Sequence, residues 1–215
     1  MSLEGASPSD TARVHGYFWL SRAVAVLRGG GVIAYPTEGV WGLGCDPFNR
    51  TAVERILTLK GRSSRKGLIL IGNDVEQFEP WLAGLTPQHR VTLAASWPDA
   101  LTWLVPDNGH SPRWLTGQHD SIALRVPAHP LARELARVFG GPVVSTSANP
   151  QGRVAATTQL RARIYFGDRV DFYLPGAVLH PHQPSEIRDL VSGAVIRARP
   201  VSAPIPARPP FKEQV

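Results

Sequence analysis

The residues best suited to chemistry in this chain are cations and hydroxyls, gathered in a few short segments. Lys60-Gly61-Arg62-Ser63-Ser64-Arg65-Lys66 holds four cations in seven positions, with two hydroxyls and a glycine. Such a segment can wrap a polyphosphate, and fixed cations neutralise charge that develops during phosphoryl or nucleotidyl transfer. A solvated basic loop has the same composition. Tyr35-Pro36-Thr37-Glu38-Gly39-Val40-Trp41-Gly42-Leu43-Gly44 sits at the end of an apolar run, where ligand crevices of open α/β sheets lie. Pro36 stops the run, Thr37 offers a donor and an acceptor, and the glycines permit close backbone approach; a glycine-rich turn packing Trp41 into the core is the alternative. In Ser145-Thr146-Ser147-Ala148-Asn149, alternation aims Ser145 and Ser147 to one side, although capping and turn formation use the same residues. Arg125 interrupts Ser121-Ile122-Ala123-Leu124-Arg125-Val126 and shares a period-two face with Ser121 and Ala123, so it either meets water or binds an anion.

Several familiar devices are missing. The glycines of 39–44 are in the wrong order for a dinucleotide fingerprint, and 61–67 lacks the Gly-Lys-Ser/Thr ending of a P-loop. No Gly-x-Ser-x-Gly elbow occurs, and Ser63-x-x-Lys66 matches the serine-lysine hydrolase pattern without its partner motifs. His180 and His182 flank Pro181 without further spaced ligands, so no metal site is assigned. The single cysteine, Cys45, can form neither an internal disulfide nor a cysteine-based zinc site; it reads as a small buried residue in a cytoplasmic protein. No stretch approaches the roughly 18 apolar residues of a membrane span, and the N-terminus resembles neither a signal peptide nor a lipid anchor. With 43% apolar residues in 215, the chain can bury a substantial core. Its net charge of +6 favours an anionic partner, whether a phosphate ligand or RNA.

The elements that must position these residues alternate between helix and strand. Apolar spacing predicts helices over 17–28, 51–59 (opened by a Thr51/Glu54 capping box), 87–95, 130–139 and 160–166. Compact apolar runs predict strands over 32–35, 68–71, 101–105, 121–126, 143–144 and 170–174, with a hairpin formed by 187–191 and 194–197. Some neighbours are too closely joined to be parallel. The expected fold is therefore a single α/β domain with a twisted mixed parallel/antiparallel sheet flanked by helices. A flexible tail is expected at 1–13, a folded domain at 14–199 and a proline-rich tail at 200–215.

Taken in order, these segments resemble the YrdC-like threonylcarbamoyl-AMP synthases in their single-domain bacterial form. The matching motifs are 32–38 with 42–47, Leu59-Lys60-x-Arg62, 66–71, Trp97-Pro98 with Leu101-Thr102, 112–117, 121–125, 145–149 and Pro184-Ser185-Glu186-Ile187-Arg188-Asp189. The resemblance implies a nucleotidyltransferase of the YrdC-like fold. Its reaction joins L-threonine, bicarbonate and ATP into L-threonylcarbamoyladenylate with release of pyrophosphate. The product supplies N6-threonylcarbamoyladenosine modification of tRNA, so a threonylcarbamoyl-transferase machinery is an implied partner. The alternative is a noncatalytic protein that binds tRNA or double-stranded RNA on the same basic surface.

By matched position, the resemblance assigns Thr37, Arg125, Ser145 and Ser185 to threonine. It assigns Lys60, Arg62, Ser64, Ser121, Ser147, Asn149 and Arg197 to ATP, with Lys60 and Arg62 as the catalytic cations. Mg2+ is expected with ATP, held chiefly through the phosphates. Arg197 and Arg199 compete for one family position, and Arg197 keeps the ungapped spacing from Ser185. Gly39 stands where many relatives carry threonine or alanine, and Asp99-Ala100 where Gly-Pro is usual.

Overall fold

A computed structural model describes residues 8–199 of the chain. In chain order the elements are α1 (Pro8–Arg28), β1 (Ile33–Pro36), β2 (Trp41–Gly44), α2 (Arg50–Lys60), β3 (Ile69–Ile71), α3 (Glu79–Leu82), α4 (Pro87–Ser96), β4 (Leu101–Pro106), α5 (Arg113–Thr116), β5 (Ser121–Arg125), α6 (Pro130–Phe139), β6 (Val143–Ser147), α7 (Gln159–Phe166), β7 (Phe172–Tyr173), β8 (Glu186–Asp189) and β9 (Val195–Arg197). Helix α1 starts at Pro8, so residues 8–13 belong to it rather than to a tail; proline is well tolerated in a first turn. Residues 1–7 and the proline-rich segment from 200 lie outside the described residues.

Helix boundaries follow local chemistry. Helix α6 opens on Pro130 and ends at Gly140 in the left-handed conformation, φ +87°. Thr86 caps α4 and Thr158 caps α7, each accepting a backbone N–H. At α2 the capping box does not form. Asn49 Oδ1 accepts from Ala52 N at 3.0 Å, and Glu54 instead pairs with Arg50 one turn earlier at 2.7 Å.

Among the described residues, nine strands form one mixed sheet in the order β7-β1-β2-β6-β3-β5-β4-β8-β9. Pairs β1/β7, β3/β5 and β4/β8 are parallel, and the other neighbours are antiparallel. Strand β6 changes partner along its length: Val143–Ser145 pair with Ile71–Ile69, whereas Thr146 and Ser147 pair with Leu43 and Gly42. Two segments outside the predicted strands are therefore strand. Trp41–Gly44 returns antiparallel to β1, and Ser145–Ser147 stay in the ladder. Glycine weakens a strand in general, but Gly44 lies where backbones approach closely. A Cβ there would stand 2.7 Å from Val144 O and 2.8 Å from Tyr35 Cε1.

The two sheet faces are covered unequally. On one, Leu43, Leu70, Trp103, Leu124 and Val144 join a core with Ile56 of α2, Leu93 of α4 and Phe166 of α7. On the other, Ile33, Tyr35, Ile71 and Val143 pack against Leu20 and Leu27 of α1 and Leu135 of α6. That second cover ends part-way along the strands. The next residues on the same face, two positions along β3 and β6, are Ile69 and Ser145, and both line an open cavity. Ile69 pairs with Ser145 on one side and Ala123 on the other, and Ala123 pairs with Leu104, so a row of side chains crosses the sheet as a floor.

Replacing Gly44 by alanine is expected to destabilise the protein by about 1–3 kcal/mol through overpacking. Urea denaturation checks this, and a loss below about 0.5 kcal/mol would contradict the close approach.

Candidate active site

The cavity has a volume of about 570 Å³, within the range of small-molecule sites. Thr37 and Gly42 stand at one side, and Ser145, Thr146, Ser147 and Asn149 follow β6 beyond the floor. Ser121 and Arg125 come from β5, Arg62 and Lys66 from the segment after α2, and Ser185 and Arg197 from the β8/β9 side. Strand pairing thus brings hydroxyls and cations from distant parts of the chain to one concave face.

Arg125 is buried, and its ion-pair partner is the equally buried carboxylate of Glu38. Glu38 Oε1 also accepts from Ala128 N at 2.7 Å, so both carboxylate oxygens are engaged. Burial is the first cause pushing the guanidinium down to about 10, with Arg197 and Arg199 adding repulsion. It stays charged at neutral pH. Its Nε is buried without a hydrogen-bond partner among the described residues, which leaves Arg125 donor capacity after Glu38 is satisfied.

Lys60 does not line the cavity. Its ammonium lies beneath β6, donating to the carbonyl oxygen of Ser147, to Asn149 O at 2.9 Å and to Asn149 Oδ1 at 3.4 Å. Ser147 Oγ in turn donates to Asn149 Oδ1 at 2.6 Å. An ammonium has three donors, and all find protein acceptors here. These contacts make Lys60 an anchor for the segment that presents Ser147 and Asn149 to the cavity. Burial, followed by the nearby Arg62, pushes Lys60 down to about 8. Arg62 does reach the wall; its Nη2 donates to Gly67 O at 2.8 Å, and its Nε is buried and unpartnered among the described residues.

On the opposite side, Arg197 Nε and Nη2 donate to Ser185 O at 3.0 and 2.7 Å, and Nη2 also reaches Ser185 Oγ at 3.0 Å. Arg199 instead pairs with Asp99 at 3.1 Å, away from the wall, so of the two competing arginines Arg197 is the one placed on the cavity. A strap carrying His182, Gln183 and Pro184 closes this side, with His180 N donating to Glu38 O at 2.7 Å and His182 N to Gly39 O at 3.0 Å. The strap accounts for glycine at position 39: a Cβ there would lie 1.9 Å from Gln183 O.

Of the expected site residues, Thr37, Arg62, Ser121, Arg125, Ser145, Ser147, Asn149, Ser185 and Arg197 line the cavity. Ser64 does not; it is exposed in the turn beyond Arg62. Thr37 contributes mainly as an acceptor, because its own hydroxyl donates to Val40 O at 2.7 Å to close the turn. Sequence reasoning missed Glu38, although it adjoins Thr37, and it missed Lys66 as a wall residue although it ends the basic segment. It also missed His119 and Gln183, which no pattern in the sequence marks as cavity residues.

The cleft sits on one face of a mixed α/β sheet, and several solved structures share this fold. Escherichia coli YciO superposes with a TM-score of 0.75 at 24% identity, over 86% of this chain and 90% of that one, which establishes the fold. P. abyssi Sua5 complexed with L-threonine gives 0.74 at 31% identity over 81% of this chain; this chain spans about half of that longer one, 51%. A family model described as Sua5/YciO/YrdC, "Telomere recombination", matches residues 25–200, and the chain belongs to that family. Among similar curated proteins, a threonylcarbamoyl-AMP synthase of Hahella chejuensis is 51% identical over 84% of this chain and 98% of its own length. One from Pseudomonas aeruginosa is 53% identical over 81% of this chain and 94% of its own.

Two outcomes are expected from this geometry. Glu38→Ala leaves a buried guanidinium unpaired and should cost about 3–5 kcal/mol in urea denaturation, a loss that wild-type stability in the variant would refute. Lys60 carries its charge at neutral pH and releases it as pH rises through about 8. Because its folded-state value lies below the unfolded one, the unfolded chain binds more protons between the two values; this group therefore adds to folding stability as pH rises there. Turnover should fall above about pH 8 without a parallel loss of stability from Lys60, and Lys60→Met should be inactive at every pH. A variant that keeps the wild-type pH profile would contradict the anchoring role.

Proposed function

We propose that this chain is a threonylcarbamoyl-AMP synthase, a nucleotidyltransferase that makes L-threonylcarbamoyladenylate and pyrophosphate from L-threonine, bicarbonate and ATP for tRNA modification. The observation that carries the proposal is a single cavity whose wall joins hydroxyls to unpartnered cationic donors. The names of relatives that match it over nearly their full length support the same reading. The L-threonine complex of P. abyssi Sua5 supports threonine as substrate.

In this reading, the threonine carboxylate lies against the free donors of Arg125, near Ser145, Ser185 and the acceptor oxygen of Thr37. Bicarbonate supplies carbon dioxide with loss of hydroxide; the neutral threonine amine adds to it and gives up a proton, forming a carbamate and water. A carbamate oxygen then attacks the α-phosphorus of ATP while pyrophosphate leaves. Such a step needs alignment and charge neutralisation rather than a protein nucleophile. Arg62, Lys66 and Arg197 face the phosphates, with Ser121, Ser147 and Asn149 beside them and Lys60 acting from below. Among the described residues, no group of three or more His, Cys, Asp and Glu is placed to hold a metal ion. Mg2+ is accordingly proposed to arrive on the phosphates of ATP, where it would offset their charge. Among the described residues no helix is long and apolar enough to cross a membrane. A cytoplasmic location, with tRNA and the transferase machinery as downstream partners, belongs to the proposal.

The test incubates purified protein with ATP, Mg2+ and bicarbonate and measures pyrophosphate with and without L-threonine. Threonine-dependent release is expected. Folded protein that releases none, yet binds tRNA or double-stranded RNA, would replace this proposal with the noncatalytic one.

A further inference from the structure

The hydrogen-bond inventory around Ser185 fixes where its proton points. Thr102 on β4 is completely buried and pairs in register with Ile187 of β8, which brings Thr102 Oγ1 to 3.1 Å from Ser185 Oγ. Arg197 Nη2 approaches the same oxygen at 3.0 Å. A guanidinium has no acceptor, so Arg197 must donate and fill one lone pair of Ser185. Between the two hydroxyls either could be the donor. Thr102 Oγ1, however, has no other hydrogen-bond partner among the described residues. If Ser185 donated to Thr102, the Thr102 proton would be buried without an acceptor, which carries the full desolvation penalty. Thr102 therefore donates. Both lone pairs of Ser185 are then filled, and its remaining O–H points to the cavity that it lines.

We infer that Thr102 is a positioning residue that makes Ser185 an obligate hydrogen-bond donor to the substrate. The ligand atom facing Ser185 is then an acceptor, such as a carboxylate or hydroxyl oxygen, and not an ammonium group. Resting on the proposed function, this assigns Thr102 to recognition of threonine through Ser185, without contact of its own.

The experiment measures L-threonine binding by calorimetry and steady-state pyrophosphate release for wild type, Thr102→Val, Thr102→Ser, Ser185→Ala and the Thr102→Val/Ser185→Ala double variant. Thr102→Val should weaken threonine binding about tenfold, the size of one lost oriented hydrogen bond, while the KM for ATP stays within about twofold. Thr102→Ser should restore binding to within about twofold. The double variant should lose no more than Ser185→Ala alone, because both changes remove the same interaction. Wild-type threonine affinity in Thr102→Val, equal losses for threonine and ATP, or a double variant whose loss is the product of the singles would each overturn the role. Thr102→Cys keeps a similar volume with only a weak S–H donor, and should lose affinity in the same direction. Wild-type affinity there overturns the proposal even if Thr102→Val does not fold. Failure of the wild-type protein to bind L-threonine would overturn the substrate reading instead.

Discussion

A guanidinium held at the inner end of an open cavity is tolerable only with a fixed counter-charge, and most of this architecture converges on that requirement. Glu38 supplies the charge to Arg125 from the turn between β1 and β2. Its second oxygen holds Ala128 N on the approach to α6, and its carbonyl accepts from the strap at His180. One acidic residue thus ties three segments to the end of β5. Burying such a pair contributes little net stability, but removing either partner leaves an isolated buried charge. The position of Arg125 is therefore set by a strong penalty against displacement.

The same logic governs the other cations. Lys60 is held by the carbonyl oxygens of Ser147 and Asn149, and so acts as a support rather than a surface charge. Arg197 is braced by Ser185, and Arg62 by Gly67. Each arginine keeps part of its fork unused by these contacts. A cavity built this way is organised before an anion arrives, and preorganised charge is what phosphoryl and nucleotidyl transfer demand. The excess positive charge of the chain acquires a location here, although many other arginines, such as Arg55 on Asp171 and Arg90 on Glu79, serve only to join elements.

Much of the element pattern was legible because it depends on local rules. Helix α6 begins and ends where Pro130 and Gly140 require, and the hairpin of β8 and β9 follows the turn around Ser192-Gly193. The errors came where tertiary contact overrides local preference. The glycines of 39–44 suggested a turn, but at Gly44 the Val144 backbone and the Tyr35 ring need the space that the missing side chain leaves. The polar run 145–147 suggested a loop as well, but it remains strand because β2 and β3 pair with β6 along its length. Thr51 suggested a cap, yet the helix already runs from Arg50, and Asn49, two positions before Thr51, caps it.

What the sequence determined by itself was an inventory: the cations, the hydroxyls, the ordered motifs of one family and the strands that carry them. These survive in one dimension because they depend on residue type and spacing. Which of them meet a ligand was settled only by tertiary structure, because burial and hydrogen-bond partners come from residues far apart in the chain. Lys60 and Arg62 are two positions apart and alike in sequence, but one lies beneath β6 and the other on the wall. Glu38 looked like a spacer between Thr37 and Gly39, and became the counter-charge of Arg125 only when β1 and β5 were brought into one sheet.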